Sequence, residues 1–499
     1  MSMNNDLNYN QYKTSLQKIA DIKYASAVLQ WDQETYLPKS GNDARGRQIA
    51  TLNELSHEQF TDAKLGDLMN DLILADKLND REKRNVTLSL EDYQKSKKLP
   101  SAFVRKMSET VNKSFHAWVQ ARRENSFSIF QNPLQEIIKL KRQESDLLGY
   151  ETHPYDALMN DYDKGLTTSI VDKLFSDLQP QLSSILEKIT AQAEPDDSML
   201  RQHFDKTAQW DTGIEILKRI HFDFDAGRQD ISEHPFTTNF CSQDVRVTTR
   251  VDENDFGNML WSCIHEGGHA LYEQGLPDNE YGLPLGEYCS LSIHESQSRL
   301  WENCIGRGLP FWQHNYALLQ EKFPAQFKDK TVELFYAAIN KVQPSLIRTE
   351  ADEVTYHFHV MIRYEIEKLL IEGVISAKDI PSYWNELYKK YLGISVPDDA
   401  RGCLQDVHWS HGSFGYFATY SIGSLYAAQF YSTIKKIHPP IENEVSIGNT
   451  SKIWEWLKVN VYSTGRYFTS EELCQHATGE CLQSKYFIKY LENKFLLSQ

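Results

Sequence analysis

The sequence predicts a mainly α-helical fold, and three observations carry that prediction. Apolar residues recur at helical spacing over long stretches, capping and stopping residues stand at the ends of those stretches, and no Gly/Ser-rich linker, repeat or low-complexity tract divides the chain. A length of 499 residues fits roughly two to four domains. The softest joints are Gln192 to Asp205 and His438 to Asn449, both rich in polar or helix-breaking residues. Neither is a true linker, so residues 1–499 read as a single large two-lobed helical unit.

Taken in order, Asn132-Pro133 reads as a cap and first-turn pair opening a helix through Leu134, Ile137, Ile138 and Leu148, stopped by Gly149. Ser169 with Asp172 reads as a capping box ahead of Val171, Leu174, Phe175 and Leu178. Pro180 should kink or end that helix, although Leu182, Ile185, Leu186 and Ile189 continue its apolar stripe. Val245, Val247, Thr249 and Val251 alternate with period two, as a strand does, so Asp244, Arg246 and Thr248 share the opposite face. This strand either pairs with an extended peptide or is an ordinary sheet edge. Phe256, Leu260, Ile264, Gly267 and Leu271 mark a half-buried helix ending near Gly275, and a second begins at Ser290 or Ser292 and ends by Gly306 or Gly308. Another carries Val354, Phe358, Ile362 and Ile366, with His357 and His359 as structural residues. From Phe414 to Ile434 no charge occurs, but four tyrosines and several hydroxyls make the segment too polar for lipid, and a buried helix fits better.

The most informative residues lie inside the fourth of these elements. In His265-Glu266-Gly267-Gly268-His269 the two imidazoles, four apart on a helix, share one face and can grip one divalent ion, with the Glu266 carboxylate beside it. That is the apparatus of metal-assisted hydrolysis. The bland alternative is a helix with two surface histidines. Against it, each Gly inside a helix costs roughly 1 kcal/mol relative to Ala, so two in succession imply that something approaches the backbone closely. Such a site needs a third ligand. Thirty residues after His265, Leu291 to Arg299 offers His294 and Glu295, which cannot easily both face the metal; spacing alone does not choose between them. Glu295 and Arg299 are four apart, in the order that lets the guanidinium orient the carboxylate.

HEGGH, then His294-Glu295-Ser296-Gln297-Ser298-Arg299, Ile347-Arg348-Thr349-Glu350-Ala351-Asp352 and Gly402-Cys403-Leu404-Gln405-Asp406-Val407-His408-Trp409, preceded by Asp244-Val245-Arg246-Val247-Thr248, resembles the ordered motif set of the M32 metallocarboxypeptidases, the thermostable or Taq-like carboxypeptidases. The likeness extends to Trp31-Asp32-Gln33-Glu34-Thr35 and His234-Pro235-Phe236-Thr237, and so covers nearly the whole chain. The resemblance implies a neurolysin-like zincin fold with a deep active-site groove, a small β-sheet beside the metal helix and a homodimeric assembly. It selects Glu295 over His294, giving His265, His269 and Glu295 as ligands to one divalent ion per chain, zinc first, with cobalt or manganese as alternatives. Glu266 is then the general base.

A carboxypeptidase must hold a free C-terminal carboxylate, which a planar guanidinium meets bidentately. On spacing alone Arg348 is a surface residue; the resemblance makes it the first choice for that task, with Arg246 as helper or brace. His408, Tyr416 and Tyr420 are candidates to steady the oxyanion or line the substrate site, although aromatic residues at helical spacing are more often core.

Composition bounds the partners. A net charge of -16 without a basic patch argues against nucleic acid. The start, Met-Ser-Met-Asn-Asn-Asp, has neither the basic region nor the apolar core of a signal peptide, so secretion by that route is not expected, and seven cysteines without a CxxC pair suit a reducing cytoplasm, with Cys263 as a buried filler. The expected substrates are peptides with a free C-terminus. The rivals are an oligopeptidase or dipeptidyl carboxypeptidase with a similar groove and a metal-binding protein that captures peptides without cutting them. Glu266 speaks against the last, because binding alone has no use for a base beside the metal.

Overall fold

The computed structural model describes residues 2–497. Helices make up nearly all of the regular structure, and the described residues contain one three-stranded sheet. The chain forms two compact units, each drawn from three stretches of sequence. The first comprises the residues up to Lys97, Asp196–Ile339 and Tyr426–Cys481; the second comprises Lys98–Pro195, Asn340–Leu425 and the residues from Leu482. One change of unit, at Pro195, falls inside the polar stretch from Gln192 to Asp205.

In the first unit the long helix Ser2–Thr35 helps close a core with Tyr12, Leu16 and Ile19 against Leu65, Met69, Leu72 and Val86. The sheet runs β1 (Gly227–Ile231), β2 (Thr237–Cys241) and β3 (Asp244–Thr249), in the spatial order β1-β3-β2. β3 pairs parallel with β1, Gly227 opposite Val245, and antiparallel with β2, Thr237 opposite Val247. The expectation that β3 is a sheet edge or takes up an extended peptide is therefore corrected: both of its backbone edges are already paired, and nothing further can add there. Val245 and Val247 are fully buried, and β2 and β3 pack against the helix Phe256–Gln274.

That helix starts at Asp255, whose side chain accepts from the Gly257 amide, and stops at Gly275. Phe256, Met259, Leu260, Ile264 and Leu271 bury its apolar face, with the Phe256 ring among Phe204, Phe323 and Phe327. The helix Leu291–Arg299, capped by the Ser290 hydroxyl, continues as a π-helical segment, Leu300–Gly306.

In the second unit two helix starts differ from the sequence expectation. The helix Phe127–Leu148 begins before Asn132-Pro133, because Phe127 and Phe130 bury their rings and carry the helix a turn and a half further back; Pro133 sits inside it. The helix Thr168–Thr190 is capped by Thr167, whose side chain accepts from the Ile170 amide, and the expected Ser169–Asp172 box does not form. Asp172 instead accepts from the Tyr364 hydroxyl at 2.8 Å and pairs with Lys368. Pro180 does not end this helix, since Leu182 and Ile185 stay buried beyond it. Most of the uncharged segment from Phe414 to Ile434 lies in the helix Phe417–Ile437, whose residues pass from the second unit to the first after Leu425, and among the described residues no helix is long and apolar enough to cross a membrane.

Candidate metal site and a guanidinium cluster

The glycine pair lets two helices meet. A Cβ on Gly268 would lie 2.7 Å from both the Gln297 carbonyl oxygen and the Ser298 Cα, and one on Gly267 would lie 2.6 Å from the Leu217 Cδ2. The backbone of the helix Leu291–Arg299 thus rests directly on the HEGGH turn, bringing Glu295 to the two histidines. His265, His269 and Glu295 each offer one donor atom, and the three lie within 4.8 Å of one another.

The donors are the two Nε2 atoms and Glu295 Oε2, at 3.8 Å from His265 and 3.6 Å from His269. Tetrahedral bonds of about 2.0–2.1 Å place ligand atoms roughly 3.3 Å apart, so the Glu295 oxygen stands within about half an ångström of ligand spacing from each imidazole. Every other polar atom of the trio is engaged elsewhere. His265 Nδ1 meets Glu302 Oε2 at 2.9 Å, His269 Nδ1 meets His294 Nδ1 at 2.6 Å, and the Arg299 Nε donates to Glu295 Oε1 at 2.6 Å. The donor set fits a divalent ion. The imidazoles keep 21% and 14% of their side-chain surface exposed against 6% for Glu295, so solvent reaches the site past the histidines more than past the carboxylate.

Electrostatics follow from burial and pairing. Burial pushes His269 well below the usual imidazole value, and the neighbouring His294 and His265 add to the shift, which leaves a neutral ring ready to coordinate. Burial acts the same way on His265, but the Glu302 hydrogen bond and the Glu295 and Glu302 charges outweigh it and raise the ring above its ordinary value. Glu302 is buried too, yet the His265 hydrogen bond and the Arg307 and Arg299 guanidiniums hold it well below the carboxylate range. Glu266 is raised by burial, with His265 and the Thr237 hydrogen bond opposing. The Thr237 hydroxyl, at the start of β2, donates to Glu266 Oε2 at 2.5 Å and fixes the carboxylate's orientation.

Arg246, on β3, grips Asp244 with two hydrogen bonds of 2.9 Å, and its Cζ lies over the Trp31 ring, 4.4 Å from the centroid. Cys263 is buried, its thiol raised to about 12 by burial.

In the second unit, spacing alone misplaced Arg348. It is buried, because Asp406, far along the chain, neutralises it: Arg348 Nε and Nη2 donate to Asp406 Oδ1 at 3.0 and 2.8 Å, and Nη1 donates to the Tyr356 hydroxyl at 3.0 Å. Arg363 takes the other Asp406 oxygen at 2.5 Å, and the two guanidiniums outweigh burial to keep Asp406 far below the usual range. His408 Nε2 meets the Tyr420 hydroxyl at 3.1 Å, and the Tyr416 ring lies 5.0 Å from that of Tyr420. Burial pushes His408 down to about 3, so the ring is neutral across the physiological range. His357 and His359 bond the hydroxyls of Ser421 and Tyr388, as structural residues do.

The residues that sequence reasoning passed over are the ones that act through others. Glu302 lies two helical turns beyond Glu295, and Glu273 one turn beyond His269, a spacing shared by many surface acids. Thr237 and Asp406 stood inside recognised motifs without a role.

The chain matches the family described as carboxypeptidase Taq (M32) metallopeptidase over residues 11–495. It is 38% identical over 482 residues to carboxypeptidase 1 of Bacillus subtilis (strain 168), covering 96% of each chain. It is 37% identical over 489 residues to thermostable carboxypeptidase 1 of Pyrococcus furiosus, covering 97% of this chain and 98% of that one. The structure superposes on the crystal structure of the M32 carboxypeptidase from Deinococcus radiodurans R1 with a TM-score of 0.96 at 37% identity, covering 98% of this chain and 99% of that one. A match of this length, with relatives similar from end to end, makes the chain a member of the M32 metallocarboxypeptidase family.

Proposed function

We propose that this metallocarboxypeptidase removes residues one at a time from the free C-terminus of peptides, using zinc held by His265, His269 and Glu295. The observation that carries the reading is the convergence of two imidazole nitrogens and one carboxylate oxygen beside a buried Glu266. Two imidazoles and a carboxylate with a fourth position open suit zinc best; cobalt and manganese are alternatives. The ion supplies Lewis acidity to a water and to the scissile carbonyl.

Glu266 accepts the water's proton as the oxygen bonds to the carbonyl carbon, then passes it to the departing amine as the C–N bond breaks. Burial raises its affinity for protons, which suits a group that takes one up and gives it back. Arg348 recognises the terminal carboxylate; Asp406 fixes the guanidinium by accepting from Nε and Nη2, while Nη1 donates to the Tyr356 hydroxyl oxygen. Arg246 with Tyr416 supports the substrate. His408, neutral, and Tyr420 donate to the carbonyl oxygen as charge builds on it.

The setting of this reading is a cytoplasmic homodimer that binds neither nucleic acid nor membrane. Its support is the charge of -16, seven cysteines without a disulfide among them, and the family likeness. Mass spectrometry of a defined peptide tests the activity. A ladder of single-residue losses should appear with zinc, stop with chelator and fail on the C-terminally amidated peptide. Release of dipeptides, or cleavage of the amidated peptide, overturns the assignment.

A further inference from the structure

We propose that His294 and Glu273 are positioning residues that fix the tautomer of His269 and set the affinity of the metal site. The inference rests on His265, His269 and Glu295 being the ligands. His265 is anchored in one step, its Nδ1 on the Glu302 carboxylate. His269 is anchored in two. Its Nδ1 lies 2.6 Å from His294 Nδ1, His294 Nε2 lies 2.8 Å from Glu273 Oε1, and Glu273 Oε2 accepts from the Asn239 amide at 2.5 Å.

Proton counting fixes the arrangement. The Glu273 carboxylate only accepts, so His294 Nε2 carries hydrogen. One proton lies between the two facing Nδ1 atoms. Were it on His294, that ring would be an imidazolium, and a neutral His269 would keep its hydrogen on Nε2, the atom that must coordinate. With the proton on His269 Nδ1, both rings are neutral and the Nε2 lone pair is free. By accepting from Nε2, Glu273 holds the neutral His294 ring in the tautomer whose Nδ1 is an acceptor, and that acceptor in turn holds the His269 hydrogen on Nδ1.

Packing keeps the intermediary ring in place. The His294 ring stands 4.5 Å from that of His269, with Tyr288 at 4.9 Å and Tyr272 at 5.5 Å closing its other sides. Because His294 precedes Glu295 on one helix and Glu273 follows His269 by one turn on the other, the same two helices deliver the ligands and their support.

The test is zinc affinity of the metal-free chain, measured by chelator competition, for the wild type and for Glu273→Gln, His294→Leu, His294→Asn and His265→Ala. Glu273→Gln and His294→Leu should weaken zinc about 10–100-fold. His294→Asn, which can still accept from His269, should recover part of that loss. Should His294→Leu not fold, the near-isosteric Glu273→Gln carries the test. Wild-type affinity in Glu273→Gln overturns the proposal, provided that His265→Ala loses tight binding. If His265→Ala also binds like the wild type, the ligand assignment itself is wrong.

Discussion

In the proposed mechanism turnover depends most on Glu266. Glu266→Gln keeps size and hydrogen bonding but cannot carry a proton, so zinc should stay bound while kcat falls about 10²–10⁴-fold, as read from steady-state rates on zinc-loaded protein. Thr237→Val removes the hydroxyl that orients Glu266 and should cost roughly tenfold in kcat, close to the ~1.5 kcal/mol of a hydrogen bond to a charged group, with little change in KM. Arg348→Lys keeps the charge and loses the planar fork. Its kcat/KM on peptides with a free C-terminus should fall by about one to two orders of magnitude, since Lys offers a point charge where a bidentate contact is needed. At this scale the sequence was legible where spacing alone brings atoms together, as in His265 and His269 four apart. It was not legible for Arg348, whose burial depends on a carboxylate 58 residues away. The choice between His294 and Glu295 came from resemblance; the reason for it, that the His294 ring turns to His269 and Glu273, is a matter of tertiary packing.

At the scale of elements, the contact between the helices Phe256–Gln274 and Leu291–Arg299 sets the site. Gly268→Ala puts a methyl group 2.7 Å from the backbone at Gln297 and Ser298. It should cost about 1–3 kcal/mol of stability, as overpacking does, and weaken zinc binding by pushing Glu295 away from the histidines. Urea unfolding and chelator competition on the same variant check both effects. The glycine pair announced this close approach in the sequence, because a helix does not accept two glycines without a reason. Helix starts were read less well: Asn132-Pro133 and Ser169 each carry capping chemistry, but buried Phe127 and Phe130 in one case and Thr167 in the other set the true starts. The period of β3 was plain, yet alternation fixes which face a side chain takes and says nothing about how many neighbours a strand has.

At the scale of the molecule, two predictions concern global stability. Zinc bound only by the folded chain should stabilise it by about 4 kcal/mol at a thousand times its dissociation constant, so chelation should lower the melting temperature together with activity. The second concerns Glu367, buried in the second unit, which accepts from the Tyr155 hydroxyl and, at 2.8 Å each, from the Trp409 indole and the Gly415 amide. Burial raises its carboxyl from 4.5 to about 7. The folded state thus holds this proton more tightly than the unfolded state, so the stabilisation is complete below pH 4.5 and is lost as pH rises through 7. Glu367→Gln lacks that slope, and urea unfolding at pH 5 and pH 8 should show the wild type losing roughly 3 kcal/mol relative to the variant. The central claim remains the three-ligand site, and anomalous diffraction at the zinc edge from crystals of the zinc-loaded protein tests it most directly. A single strong peak should lie within about 2.2 Å of His265 Nε2, His269 Nε2 and Glu295 Oε2. A peak that excludes Glu295, or none there in crystals of active, zinc-saturated enzyme, would contradict the account.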